Sequence, residues 1–313
     1  MTRIDQFQRL GLLAFLILMG AFFSFMSPYF ATWENATNIL VQSAVLIIAG
    51  TGMTLVIATA GIDLSIGSIL ALSGIIMAAT MKAGFGVFMG ISMGVLSGAL
   101  MGLLNGIGIA WLGISPFIVT LGTAGIYRAI ALIFTDARPI YGLPIEFRII
   151  GTGRLGLVPL SAVVAFAVIG LAYLIIAWTR FGINARAVGD NSEGAFLMGI
   201  PIQRVLIIVY VLSGATVALA SIVVTARLNT AEAIAGLGME LEAIAAVVMG
   251  GTSFSGGEAS LFGTLLGALI IGTLANGLTI INIPSYYQQL VIGIVFILAV
   301  MADRIRRRET NLF

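Results

Sequence analysis

The chain has 313 residues, 60% of them hydrophobic and only 9% charged, with a mean hydropathy of +1.14. Soluble domains are about 25% charged, so this composition is that of an integral membrane protein. A formal charge of +2, no His, no Cys and a single lysine (Lys82) exclude Ser-His and Cys-His nucleophiles, zinc or haem ligation, disulfides and a P-loop. They make no case for nucleic-acid binding, and no metal or cofactor is expected on the chain itself.

A membrane span needs about 20 apolar residues. Charge-free stretches run 10–33, 35–62, 64–81, 83–127, 155–179, 205–226 and 259–302. The stretch 83–127 divides at Gly113-Ile-Ser-Pro116, where Pro116 suits the first position of the next helix and Ser115 its N-cap. The stretch 259–302 divides at Asn282-Ile-Pro-Ser285, and a weaker segment, 233–250, is interrupted by Glu240 and Glu242. The expectation is an all-α membrane protein with about ten transmembrane helices, spans 1–10. The first run is too long for a signal-peptide core and lacks an A-x-A exit, so it reads as a retained helix.

Orientation follows the basic residues of short loops. Ten spans place Arg3, Arg9, Arg180, Arg186, Arg204, Arg304, Arg306, Arg307 and Arg308 on one side, against Lys82, Arg128, Arg138, Arg148, Arg154 and Arg227 on the other. Both termini and the 180–204 loop are therefore expected to be cytoplasmic, in a bacterial inner membrane.

Spans 4 and 9 resemble each other. Gly94, Gly98, Gly102 and Asn105-Gly106 in one are echoed by Gly263, Gly267, Gly272 and Asn276-Gly277 in the other. Ile114-Ser115-Pro116-Phe117 then follows the first as Ile283-Pro284-Ser285-Tyr286 follows the second. Span 4 runs inward and span 9 outward, so the repeat is inverted, five helices against five, an architecture recurrent in transporters. The chain reads as a single transmembrane domain, 1–313, with halves 1–157 and 158–313. Gly94, Gly98, Gly102, Gly263 and Gly267 are expected at close helix contacts, among them a ladder that winds around span 4.

The loop after span 6 carries an Asp190/Asn191/Ser192 capping cluster and then a short helical segment ending at Gly199-Ile-Pro201. An amphipathic helix on the cytoplasmic face suits docking to a partner, whereas a plain connector would be shorter.

That loop, Glu193-Gly-Ala195-Phe-Leu-Met198-Gly199, resembles the E-A-A-x-x-x-G coupling segment of ATP-binding-cassette importer permeases, departing from it at Gly194. Gly61-Ile-Asp63-Leu-Ser65-Ile-Gly67-Ser68 is similar to the G-I-D-L-S-x-G-S signature of the monosaccharide, ribose-type branch, and 250–257 to its G-G-T-S-x-x-G-G segment. The resemblance covers essentially the whole chain. It implies Gly189, Asp190, Asn191, Glu193, Ala195, Met198 and Gly199 as the ATPase-coupling residues. It further implies a second permease copy or paralogue, two cytoplasmic ATPase domains that carry the ATP and Mg, and an extracytoplasmic sugar-binding protein.

Pathway or gate candidates are Asp63, Ser65, Asn105, Ser115 and Asn276. Asp63 has a structural alternative as the cap of span 3, and the two asparagines have one as packing groups. Glu240 and Glu242 suit an outer rim, or one of them the pathway. The charged loop 134–157 suits either binding-protein docking or plain solvation. The expected function is import of a monosaccharide such as ribose, driven by partner ATPases, with membrane lipids around the bundle. The alternatives are an ATP-driven permease for a nucleoside or branched-chain amino acid, and an ion-coupled secondary transporter using Asp63, Glu240 and Glu242.

Overall fold

The computed structural model describes the backbone of residues 3–310; the side chains of 3–9, 299 and 302–310 are outside that description. The terminal arginines used for orientation, Arg3, Arg9 and Arg304 to Arg308, therefore lie outside the described side chains. The helices are α1 (Arg3–Met26), α2 (Trp33–Ala58), α3 (Ile66–Thr80), α4 (Gly86–Ala110), α5 (Pro116–Thr135), α6 (Ile145–Thr152) and α7 (Leu160–Trp178). They continue as α8 (Arg180–Asp190), α9 (Ser192–Leu197), α10 (Ile202–Leu228), α11 (Met239–Met249), α12 (Leu261–Ile280) and α13 (Ser285–Thr310). Two small antiparallel ribbons accompany them: β1 (Ile140–Tyr141) with β4 (Thr230–Ala231), and β2 (Arg154–Leu155) with β3 (Val158–Pro159).

Among the described residues six helical stretches are long and apolar enough to cross a membrane, counting Ile66–Ala110 as one, and Leu10–Met26 and Ser285–Leu298 are shorter apolar helices. The 45-residue stretch folds back on itself. A π-helical turn, Met81–Phe85, holds Gly84 at φ +89°, and α4 returns along α3 with Gly94 against Met77. Only glycine adopts such a φ without strain.

The centre of the bundle is α2, buried on every side from Leu46 to Ala58. Its threonines satisfy their hydroxyls internally, Thr51 on the Ile47 carbonyl at 2.7 Å and Thr54 on Gly50 at 2.8 Å. Helices α10 and α12 flank it, and α10 also packs along α4 and α3. At one edge α1 attaches through Met19 and Phe23, which cluster with Phe30 and Ile270.

Two element starts differ from expectation. The segment 233–238 is loop, because Gly236 and Gly238 take left-handed φ of +69° and +82°, so α11 begins only at Met239. Residues 154–159 form the β2–β3 ribbon around Gly156 (φ +62°), so α7 begins at Leu160.

Candidate functional site

The α2–α3 break, the residues just before the coupling segment and the end of the 250–257 segment, all far apart in sequence, meet in space. The first is the break between α2 and α3. Its Asp63 is fully buried. Oδ1 accepts from the Ser65 backbone N–H at 3.0 Å and from the Ser65 hydroxyl at 2.5 Å, and Oδ2 accepts from Ser213 of α10 at 3.0 Å. Asn105 of α4 donates to Ser65 Oγ at 2.8 Å. Tyr127 of α5 donates to the Met101 carbonyl at 2.9 Å and stands 3.4 Å from Asn105 Oδ1. The carbonyl of Ile62 accepts from the Tyr210 hydroxyl at 3.2 Å and lies 3.3 Å from that of Thr120. Helices α4, α5 and α10 thus all hold residues 62–65.

Of the two roles open to Asp63, the capping one takes a shifted form: its Oδ1 accepts a backbone N–H at the entry to α3, from Ser65. The residue flanking α3 is Ser65, without a side-chain cap, and the Asp63 carboxylate turns to Ser65 and across to α10. A buried carboxylate is costly unless hydrogen bonds replace its water. Here hydroxyls and an amide replace it, and among the described residues no Arg or Lys donates to it.

Residues 189–190, ahead of the coupling segment, and Gly256 and Gly257 of the 250–257 segment lie against the end of α2 that leads into the break. Gly189 at the end of α8 packs its backbone directly on the Ala58 carbonyl and the Gly257 nitrogen, leaving no room for a Cβ. The Gly257 N–H donates to Ala58 at 3.0 Å, and a Cβ on Gly257 would stand 3.0 Å from Asp190 Oδ1. Residues 252–257 curl tightly, with Thr252 and Ser253 buried and Thr252 Oγ1 accepting from the Ser260 N–H at 3.0 Å. Any displacement of Gly189 therefore meets the end of α2 and this loop at once.

Helix α9 is capped by Asn191, whose Oδ1 accepts from the Gly194 N–H at 2.8 Å. Ala195 is buried inward while Glu193, Phe196, Leu197 and Met198 are exposed. Gly199 ends the helix at φ +79°. Between this segment, the α2–α3 break and the α4–α5 turn lies a groove of about 690 Å³, lined by Gly189, Asp190, Glu193, Ser115 and Tyr210 among others. Ser115 is exposed there and makes no side-chain cap to α5, although Pro116 does open that helix.

The remaining candidates stand elsewhere. Asn276 is buried on α12, its Oδ1 without a hydrogen-bond partner among the described residues. Glu240 and Glu242 lie half-buried in the first turn of α11. A Cβ on Gly67 would come 2.9 Å from Glu240 Oε2, and Gly236 touches the Gly67 backbone, so the starts of α3 and α11 converge. Arg128 of α5 secures that loop by donating to the carbonyls of Ala233 and Ala235, the latter at 2.8 Å. Asn229 Oδ1 accepts from the Leu143 N–H at 3.1 Å, and β1 pairs with β4, joining the loops after α5 and α10.

Among the glycines, Gly94 meets α3 at Met77, while Gly98 and Gly102 meet the Gly214 and Tyr210 carbonyls of α10. Gly263 and Gly267 meet the backbone of Gly250 and Ala246 at α11. Ser213, Tyr127 and Tyr210 are not among the sequence candidates, and Arg128 is there only as an orientation charge. Their signal was a polar group inside an apolar span, which by itself does not say what it faces.

Helices of this length and composition, closed around a buried polar knot with a short exposed helix beside it, are those of a multi-pass membrane protein. The chain belongs to the family described as the branched-chain amino acid transport system permease component, which matches residues 35–300. It is 42% identical over 299 residues to the ribose import permease protein RbsC of Bacillus subtilis, covering 95% of this chain and 93% of that one. It is 40% identical over 297 residues to the D-allose transport system permease protein AlsC of Escherichia coli, covering 94% and 91%. The autoinducer 2 import system permease protein LsrC of Photorhabdus laumondii is 33% identical over 294 residues, covering 94% and 88%.

Proposed function

We propose that the chain is the transmembrane subunit of an ATP-driven, binding-protein-dependent importer of a monosaccharide such as ribose. The observation that carries this reading is the contact of Gly189 with Ala58 and Gly257. It gives a push on α8–α9 a rigid route to the α2–α3 break. Relatives named for ribose and allose, at about 40% identity over nearly the full length, support a sugar as solute.

In this reading ten segments cross the bacterial inner membrane as two inverted halves, α1–α5 and α7, α10–α13, the short α11 crossing together with the loop 232–238 before it, and both termini are cytoplasmic. Helices α8 and α9 form the coupling segment. Two cytoplasmic ATPase domains seat on Glu193, Phe196, Leu197 and Met198 and carry the ATP and Mg; the chain holds no cofactor of its own. The loops around β1 and β4 receive the sugar-binding protein, and a second permease copy or paralogue completes the pore. ATPase closure presses residues 189–199 toward the α2–α3 break and tilts the helices that hold it, switching access from outside to inside.

The buried Asp63 favours one other reading, an ion-coupled transporter, because an intramembrane carboxylate is a common coupling group. Proteoliposomes holding the permease with its ATPase and binding protein separate the two. Ribose uptake that needs ATP and survives collapse of the ion gradients supports the importer. Uptake without any ATPase that stops with the gradient would sink it.

A further inference from the structure

Away from the coupling groove, a cavity of about 450 Å³ opens between α7, α8 and α12. Its walls are Ile169, Gly170, Tyr173 and Ile176 of α7 and Phe262 and Leu265 of α12. Arg186 and Ser260 also line it. No acidic side chain is among the lining residues. Arg186 donates Nε to the Gly182 carbonyl of its own helix at 3.2 Å, a single weak tie that leaves most of the guanidinium's donors for another acceptor. Gly170 faces open space, for a Cβ there would meet nothing within 4 Å.

We propose that this cavity binds an anionic phospholipid, its phosphate on Arg186 and Ser260 and an acyl chain along α7 and α12. Charge and setting commit it to that occupant. The walls belong to two helices of membrane-spanning composition, where the surrounding molecules are lipids. The one charge in the cavity is a cation, and guanidinium groups pair with phosphate through several charge-assisted hydrogen bonds. Basic pockets between membrane helices on the cytoplasmic side are suited to anionic headgroups. The leaflet, the inner one, rests on the proposed cytoplasmic placement of α8; the binding itself does not.

Native mass spectrometry of the full chain, assembled with its partners and equilibrated with equal phosphatidylglycerol and phosphatidylcholine, tests this. The wild type should retain phosphatidylglycerol preferentially. Arg186→Gln should reduce that retention about tenfold, the loss expected for one charge-assisted contact, and Arg186→Lys should restore part of it. Gly170→Trp, whose Cβ has open space and whose ring would occupy the cavity, should reduce retention of the lipid as strongly. Inorganic phosphate at millimolar concentration should not compete. Equal retention of the two lipids, or no response to Arg186→Gln and Gly170→Trp, would overturn the proposal, and so would competition by phosphate alone, which marks a soluble anion. Sugar uptake with no lipid preference refutes only this inference; lipid retention without ATP-driven uptake refutes only the transport reading.

Discussion

Asp63 owes its position to its partners rather than to its charge. Asparagine can keep the pattern, its carbonyl accepting from Ser65 while its amide donates to the Ser213 hydroxyl, whereas leucine leaves those groups unpaired in a dry interior. Asp63→Asn should therefore retain uptake within about tenfold, and Asp63→Leu should lose it and cost about 2–4 kcal/mol of stability. Initial uptake rates and melting in detergent measure both. A total loss of uptake in a well-folded Asp63→Asn protein would show that the charge itself works, as ion coupling requires. Ser213→Ala strips one donor from the buried carboxylate and should cost about 1–3 kcal/mol by the same melting assay.

Packing of α4 on α10 depends on glycine where backbone meets backbone. At Gly102 an added Cβ collides with the Tyr210 carbonyl, and at Gly98 with that of Gly214; neither obstacle can rotate away. Gly102→Ala should cost about 1–3 kcal/mol, as overpacking does, and Gly98→Leu should block assembly. Gly86 is a poor control for these, because its φ of +81° penalises any side chain although the space around it is open. Gly20 on α1 meets nothing within 4 Å and sits in ordinary helix, so Gly20→Ala should be neutral or stabilising by up to about 1 kcal/mol. Thermal melting of Gly20→Ala beside Gly102→Ala gives the comparison; equal loss in both would mean that contact with α10 is not what matters.

Across the whole molecule, the reading depends on which side each loop faces and on what docks to α9. The chain has no cysteine, so single replacements report cleanly. Ser192→Cys should react with an impermeant maleimide only from the cytoplasmic side, and Leu157→Cys only from outside; labelling of both from one side would break the ten-span topology. Glu193 is exposed, and among the described residues its side chain makes no hydrogen bond. Glu193→Lys should leave melting unchanged while ATPase co-purification and ATP-driven uptake fall together. Retained ATPase binding in that variant would move the docking surface elsewhere.

Composition alone determined that the chain lives in a membrane, because hydrophobic content and charge are summed properties that need no geometry. The short motifs were also legible: Pro116 opens α5, Asn191 caps α9 and Gly199 ends it, since turns and caps are set by neighbouring residues. The late start of α11 was harder to see. Gly236 and Gly238 interrupt the helix through left-handed backbone, yet glycine occurs throughout the spans without doing so. What only the tertiary structure decided is which polar residues share a site. Asp63 and Ser213 are 150 residues apart, and Gly189 touches both Ala58 and Gly257. Such pairings arise where helices cross, and a helix's hydropathy records that a polar group must be satisfied inside the bundle without recording by whom.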